Sequence, residues 1–207
     1  GDRFDQRIVD KLVLPKLGKG GQYRSFGKVL DIPATYFNDF ADWSKLALMR
    51  NRRTMAELEK LQRNAVDPDA IGRMIAMIEH ELGFALYDAV GKLKRALSSD
   101  EVARFHFDSP EIEIDVEVAR SEFEGWIAED VARMAAAVDE ALTAAGISET
   151  QVDRVFLTGG TSLVPAVRSV FTSRFGHDKI MSGGELTSIA HGLALVAQED
   201  DLSAWVA

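Results

Sequence analysis

The segment VFLTGGTSLVPAVRSVF, residues 155–171, decides the fold of this chain. The β-branched and aromatic run over residues 152–157 predicts a buried strand. Gly159-Gly160 follows it, and Ser162 is predicted to cap a helix that carries Pro165 in its first turn. Glycine allows the main chain to approach a ligand closely, and the first N–H groups of a helix point at it. The segment therefore predicts either an anion-binding turn or an ordinary tight strand-to-helix connection.

Composition limits the classes of protein that fit. The chain has 207 residues, 46% of them apolar, a formal net charge of −9 and no cysteine. This length suits one large or two small domains, and the acidic balance disfavours a nucleic-acid partner. Disulfides and cysteine-ligated metals are excluded. With neither a membrane-spanning run nor a signal peptide in the sequence, we expect a cytoplasmic protein without a membrane partner.

Common catalytic motifs do not occur in the sequence. The four histidines are scattered, without an HExxH pair or the order of a serine triad, and no GxGxxG or GxxxxGK[ST] motif is present. These motifs carry zinc and serine hydrolysis, dinucleotide binding and P-loop phosphate binding. We therefore predict no catalytic residue and no metal ligand.

The first third of the chain predicts helices around a glycine-rich connection. The apolar spacing from Phe4 to Val13 predicts a helix closed by Pro15. Residues 16–35 are aperiodic and predict an extended connection or a small hairpin. Tyr36–Leu48 predicts a helix whose aromatic face either packs in the core or binds a partner.

A local basic cluster stands out in this acidic chain. Two glutamates, Glu57 and Glu59, lie among the cations and partly neutralise them. The cluster is either a solvated helix face or a site for phosphate or a partner. Its members are Arg50, Arg52, Arg53, Lys60 and Arg63.

Asp67-Pro68 is predicted to start the longest helix, because an apolar stripe continues from Ile71 to Leu97 over roughly seven turns. A second face near its end combines a glycine, two cations and a hydroxyl at helical spacing. This face predicts either a cradle for ribose or phosphate, or a solvated helix end whose cations complement the dipole. Its residues are Gly91, Lys94, Arg95 and Ser98.

The rest of the chain predicts a hairpin followed by an α/β part. Residues 101–107 and 111–118 alternate apolar and polar side chains, which predicts an antiparallel hairpin. Ser121, with Glu124, is expected to cap a helix that ends at Gly146. A final apolar helix over 186–198 should be buried on most sides.

Several of these segments resemble the heat shock protein 70 and actin-like ATPase superfamily. The segment TGGTSLVPAVRSVF is similar to the family's adenosine-binding segment, and KLKRALSS is similar to the segment that closes over adenosine from the other side. The opening GDRFD and the hairpin with the following VARSEFEGWI also match in order. The likeness is greatest to the short bacterial YegD-like branch, which shares the YFNDFADW and IEHELGFAL segments.

The resemblance implies an α/β fold: a lobe II fragment of the actin-like ATPase (ribonuclease H-like) fold with a helix-plus-antiparallel-hairpin subdomain. Residues 1–118 would form the helical and hairpin (IIB-like) subdomain, with an insertion at about 16–66. Residues 119–207 would form the C-terminal α/β (IIA-like) part. The chain begins without methionine, so we expect an excised fragment rather than a processed chain.

The resemblance also implies a nucleotide site for ATP or ADP, with magnesium in the full-length protein. One rim would contact adenosine and phosphate, and the opposite rim would meet adenine and ribose. The two rims are Gly159, Gly160 and Thr161, and Lys94, Arg95 and Ser98.

This chain departs from the family at Gly91, Leu163 and Leu186. A ribose hydrogen bond and a cation–π contact, each of order 1 kcal/mol, are therefore expected to be absent. The family's magnesium-linked aspartates and phosphate-binding loop precede the position of Gly1. We therefore expect an ATP-hydrolysing parent protein and no hydrolysis by this chain alone.

Partners and alternatives follow from the same resemblance. The expected partners are an adenine nucleotide, lobe I of the same protein, and client proteins or cochaperones. An actin-like assembly ATPase and a degenerate, non-hydrolysing nucleotide-binding module remain the alternatives to a chaperone-like ATPase.

Overall fold

The computed structural model describes residues 1–184 and 186–198. The chain divides into two compact units, Gly1–Asp130 and a second unit that begins at Val131. The predicted division after residue 118 concerns family subdomains and stays a prediction.

Helices dominate the described residues. The α-helices are α1 (Asp2–Ile8), α2 (Trp43–Met49), α3 (Arg52–Asn64), α4 (Pro68–Glu79), α5 (Gly83–Ser99), α6 (Arg120–Ala145), α7 (Pro165–Phe175) and α8 (Ser188–Val196). The strands are β1 (Gln22–Ser25), β2 (Lys28–Asp31), β3 (Val102–Ser109), β4 (Ile112–Ala119), β5 (Val155–Phe156) and β6 (Ile180–Met181). No helix in the described ranges is both long and apolar enough to cross a bilayer.

The first helical segment forms as predicted, but its predicted end at Pro15 is wrong, because Pro15 lies inside a last 3₁₀ turn. The helical geometry also changes along the segment. After α1 the chain continues through a π-helical stretch, Val9–Val13, and a 3₁₀ turn, Leu14–Leu17. Gly18 ends it with a φ of 97°. A Cβ at Gly18 would lie 2.7 Å from Cδ1 of Ile71, so both the positive φ and the close approach of α4 require glycine.

The glycine-rich connection contains the small hairpin that was one of its two predicted forms. Strands β1 and β2 pair antiparallel from Gln22↔Asp31 to Ser25↔Lys28. Phe26 and Gly27 form the turn, both with positive φ, which suits the twist of a two-residue hairpin. Beyond it, the aromatic helix predicted over 36–48 is a 3₁₀ stretch, Ala34–Ala41, followed by α2.

The core of the first unit confirms the apolar patterns. Phe4 and Phe123 meet edge to face with ring centroids 6.2 Å apart. The hairpin β3–β4 forms as predicted, in register from Val102↔Ala119 to Ser109↔Ile112, and β3 packs on α5. Further buried side chains are Ile8, Leu17, Phe37, Phe40, Leu58, Ile71, Met74, Leu86, Leu97, Phe105, Phe107, Ile114 and Ile127.

The predicted seven-turn helix is wrong as a single element, since it breaks between α4 and α5. Glu81 has a φ of 54°. The Leu82 N–H donates to Met77 O at 3.1 Å, and the Glu81 N–H donates to Ile78 O at 3.2 Å. These two bonds form a Schellman motif with glutamate in the left-handed position. The apolar stripe continues across the break because both helices bury it in the same core.

The longest helix in the described residues is α6, and its start also differs from the prediction. It begins at Arg120, and the Ala119 N–H donates to Glu122 Oε2 at 3.0 Å. The capping box predicted at Ser121 and Glu124 is therefore wrong, because the helix starts two residues earlier than a cap at Ser121 requires. Its end is confirmed: Gly146 follows Ala145 with a φ of 67°.

The second unit is a β–α–β arrangement. Strands β5 and β6 pair in parallel, Val155↔Ile180 and Phe156↔Met181, with α7 between them in the chain. The predicted strand is shorter than expected, and the predicted burial of the last helix is wrong. No residue of α8 is buried; Ile189 is 73% exposed. In the described part of this unit, β5 and β6 have only two residues each, and their apolar surface is too small to cover this helix.

Candidate functional site

The diglycine turn, Gly159-Gly160, follows β5, and its first residue has a backbone conformation that requires glycine. Gly159 has φ 79° and ψ 154°, a region that residues with a Cβ avoid. A Cβ at Gly159 would meet no atom within 4 Å, so the space beside it is open. The positive φ, rather than crowding, therefore selects glycine at this position.

Ser162 holds this turn instead of capping α7 as predicted. Its Oγ donates to Gly159 O at 2.7 Å, and its N–H donates to the same oxygen at 3.1 Å. Its side chain is buried. The reason is local: residues 160–163 form a 3₁₀ turn, so α7 starts only at Pro165 with Val164 as its N-cap. Ser162 therefore stabilises the diglycine turn itself.

Two main-chain donors of the turn lie at its surface. In the described part of the chain, the N–H groups of Gly160 and Thr161 donate to no carbonyl or side chain. Gly160 is exposed and Thr161 is partly exposed. Such first-turn donors are ready to bind an anionic or carbonyl oxygen.

A second diglycine, which sequence reasoning did not assign to the site, lies at the same edge of the sheet. Because β5 and β6 are parallel, the residues that follow each strand leave at the same edge. Gly183 and Gly184 follow β6, and a Cβ on Gly160 would lie 3.7 Å from Cδ2 of Leu186. The signal in the sequence is that Gly183-Gly184 closely follow the short apolar run Ile180-Met181, as Gly159-Gly160 follow residues 155–157. Ligands of open α/β sheets bind at this carboxyl edge.

The predicted cationic rim belongs to the first unit, on the last turns of α5. Lys94 Nζ lies 2.6 Å from Asp5 Oδ1, with 18% and 17% of the two side chains exposed. Ser98 Oγ donates to Lys94 O at 2.9 Å. Arg95 is exposed, and a Cβ at Gly91 would lie 3.4 Å from its Nη1 atom. Arg95 is therefore the more accessible of the two cations.

Tyr87 lies near the same carboxylate. Burial raises the pKa of Tyr87, and the charges of Asp5, Asp42 and Asp2 raise it further. Its hydroxyl donates to Phe40 O at 2.8 Å. The opening GDRFD segment therefore places the carboxylates of Asp2 and Asp5 close to α5, and the ion pair with Asp5 holds Lys94 there.

A buried carboxylate, which the sequence did not single out, fixes α1 against α6. Arg3 Nε donates to Asp130 Oδ1 at 2.8 Å, and Arg7 Nε donates to Asp130 Oδ2 at 2.9 Å. Burial acts to raise the pKa of Asp130, but the hydrogen bonds and charges of Arg7 and Arg3 outweigh burial and hold this pKa below its usual value. Only the spacing of Arg3 and Arg7, one helical turn apart, hinted at this cluster in the sequence.

The six predicted site residues therefore fall into two sets, three in each unit. The structure brings Gly159, Gly160 and Thr161 together in one turn. It places the other three on one helix end. That the two sets form one site stays a prediction.

Comparison with known proteins identifies the family. The family model described as Hsp70 protein matches residues 79–199. The chain is 33% identical over 115 residues to the chaperone protein HscA homolog of Verminephrobacter eiseniae, covering 56% of this chain and 18% of that protein. It is 28% identical over 130 residues to the heat shock protein hsp88 of Neurospora crassa, covering 62% and 17%. It is 28% identical over 131 residues to the chaperone protein DnaK of Thermus thermophilus, covering 63% and 21%.

The described helices, antiparallel hairpins and parallel strand pair are compatible with a protein of the actin-like ATPase class. Because the family model covers more than half of the 207 residues, the chain belongs to the Hsp70 family. The resemblance to the heat shock protein 70 family inferred from the sequence is thereby confirmed. The likeness to the short YegD-like branch stays a prediction. The matched region spans about a fifth of the length of these relatives.

Proposed function

We propose that this chain is lobe II of an Hsp70-type, chaperone-like ATPase and that it supplies the adenosine side of an ATP cleft. The observation that carries the proposal is the pair of diglycines at the carboxyl edge of β5 and β6. Gly159 holds a glycine-only conformation there, and Gly160 and Thr161 present main-chain donors. These groups suit the phosphate and sugar oxygens of ATP or ADP.

The opposite side of the nucleotide would be met by the end of α5. Arg95 is exposed and can lie against adenine. Lys94 would contact the nucleotide while it remains paired with Asp5. The Ser98 hydroxyl donates a hydrogen bond to Lys94 O, so its oxygen can still accept a hydrogen bond from a ribose hydroxyl. In this proposal lobe I of the same protein forms the other side of the nucleotide cleft.

Hydrolysis would depend on residues outside this chain. No group of three or more His, Asp or Glu side chains in residues 1–184 and 186–198 is placed to hold a metal ion. Phosphoryl transfer relies on positioned charge and magnesium around the γ-phosphate. We therefore propose that lobe I supplies the magnesium site, and that client proteins or cochaperones act on the assembled protein.

An ADP titration followed by NMR tests the nucleotide site. We expect ADP to shift the amide signals of residues 158–163, and Gly159→Ala to weaken this binding at least tenfold by straining the turn. Gly146→Ala is the matched control, since Gly146 also has a positive φ and open space around it. The proposal fails if residues 158–163 do not respond to ADP, or if both variants weaken binding equally.

A further inference from the structure

A cavity of about 420 Å³ lies between the hairpin β1–β2 and helix α3, within the predicted insertion. We call it the hairpin groove. Residues 16–66 lie outside the range matched by the Hsp70 family model, so the groove belongs to a part of the chain that the family comparison does not cover. Its size is that of a cleft that binds a small molecule or a side chain of a peptide.

The groove combines aromatic walls with positive charge. The rings of Tyr23 and Tyr36 and the side chain of Leu61 line it, together with Arg24 and Lys60. Burial raises the pKa of Tyr36, as do the nearby Glu57 and Tyr23, which agrees with their common position around this cavity. An apolar or aromatic side chain would pack between the tyrosine rings.

Two cations, Arg24 and Lys60, and one carboxylate, Glu57, line the groove. Within the described residues, Arg24 and Lys60 have no ion-pair partner, whereas Glu57 is bound by Arg53 at 3.1 Å. The segment 50–64 carries five arginine and lysine residues against two glutamates, a net charge of +3 in a chain of −9. Charge complementarity therefore favours an acidic occupant.

Exposed apolar surface extends beyond the cavity along the hairpin. Phe26 is fully exposed at the turn, and Val29 and Leu30 are 55% and 42% exposed. The hairpin is anchored at its other end, where Tyr23 pairs with Ala65 next to α3. Leu30 pairs with Tyr23 and therefore lies on the same face of the hairpin as that lining residue, whereas Val29 lies on the other face. A surface that continues from the groove along this face to Leu30 suits an extended chain better than a compact metabolite.

We propose that the hairpin groove binds a short, extended acidic peptide segment of a partner protein. An apolar side chain of the peptide enters between Tyr23 and Tyr36, and carboxylates on either side of it face Arg24 and Lys60. This inference is independent of the nucleotide site, because every residue that carries it lies in the insertion.

Fluorescence anisotropy with defined peptides tests the proposal. The probe is a labelled Asp-Glu-Phe-Glu-Asp peptide with blocked ends, compared with Lys-Arg-Phe-Arg-Lys and with Asp-Glu-Gly-Glu-Asp. We expect the first to bind at least tenfold more tightly than the other two. Lys60→Glu and Tyr36→Leu should each weaken it about tenfold. Arg52→Glu, an equal charge change on α3 that does not line the cavity, should change it less than twofold.

Several outcomes would overturn the proposal. Equal binding of the three peptides would remove its chemical basis, and equal losses in Lys60→Glu and Arg52→Glu would indicate unspecific charge attraction. Displacement of the peptide by millimolar inorganic phosphate would assign a simple anion site instead. Tighter, Lys60-dependent binding of a single-stranded oligonucleotide would assign a different class of partner. Circular dichroism of each variant excludes loss of fold as the cause of a loss in binding.

Discussion

The ammonium of Lys94 and the carboxylate of Asp5 form an ion pair of 2.6 Å that joins α5 to α1. Both side chains are more than four-fifths buried, so solvent screens this pair less than a surface pair. The opening GDRFD and the KLKRALSS segment, which resemble separate family motifs, are thus linked by one contact. A cation predicted to face a nucleotide is also part of the packing of the first unit.

We predict a measurable coupling between these two residues. Asp5→Asn and Lys94→Met should each lower the free energy of unfolding by about 1–3 kcal/mol, because each leaves a partly buried charge without its partner. The double variant should lose less than the sum, with a coupling of about 1 kcal/mol. Urea unfolding of the four proteins measures this cycle.

The exposed pair Arg53–Glu57, an i,i+4 pair on α3, is the control for that cycle. Its coupling should be about 0.3 kcal/mol, since both side chains are solvated. Equal coupling in the two cycles would show that burial adds nothing to the Lys94–Asp5 pair.

The Asp130 cluster predicts a dependence of stability on pH. Asp130→Asn should lower the free energy of unfolding by about 2 kcal/mol at pH 7, because two arginines lose a charged acceptor. Arg3 is 62% exposed, so most of the effect should come through Arg7. The folded-state pKa of Asp130 is lowered, so its stabilisation is fully present above the unfolded-state pKa of about 3.9 and is lost as pH falls through the folded-state value.

Urea unfolding from pH 7 down to pH 3 checks this sign. The difference between the parent chain and Asp130→Asn should shrink as the pH falls. Glu140→Gln, at an exposed carboxylate of the same helix, should behave as the parent chain does. If the difference in the free energy of unfolding between the two proteins grew as the pH fell, Asp130 would not be the stabilising anion.

Much of the first unit was predictable because its patterns are local. The alternation in β3–β4 and the apolar spacing of α1 specify their elements directly. The break after α4 was not predictable, since the apolar stripe continues across it and the left-handed residue is Glu81 rather than glycine. The left-handed conformation is set by the packing of both helices, which no local pattern records.

The candidate site shows the same limit. The sequence predicts that Gly159-Gly160 follows a strand, because glycines after a β-branched run are a strong local signal. It does not predict the role of Ser162, since the choice between a 3₁₀ turn and an immediate α-helix depends on where α7 packs. The burial of α8 also failed as a prediction, because composition shows that a helix is apolar without showing whether another element covers it.

Glu81 provides a test of the helix break. Glu81→Gly should raise the free energy of unfolding by about 0.5–1 kcal/mol, because glycine adopts a φ of 54° without steric cost. The substitution also removes the exposed ion pair with Arg50, which is worth little. Glu81→Ala is the matched control, since it removes the same ion pair and retains the strain. If Glu81→Gly is no more stable than Glu81→Ala, the Schellman geometry at this position is not strained.

The bond from Ser162 Oγ to Gly159 O leads to a prediction that separates stability from binding. Ser162→Ala should lower the free energy of unfolding by about 1 kcal/mol, because the buried hydroxyl bond is lost. Ser173 Oγ makes a comparable bond to Ser169 O at 2.6 Å, but on an exposed part of α7. Ser173→Ala should therefore cost less stability and leave ADP binding unchanged.

Ser162→Ala should weaken ADP binding severalfold, because the Gly159 turn loses one of the two bonds that fix its carbonyl. Unfolding curves and ADP titrations of both variants measure the two effects, and a loss of stability in Ser162→Ala without any loss of ADP affinity would show that the turn is structural only.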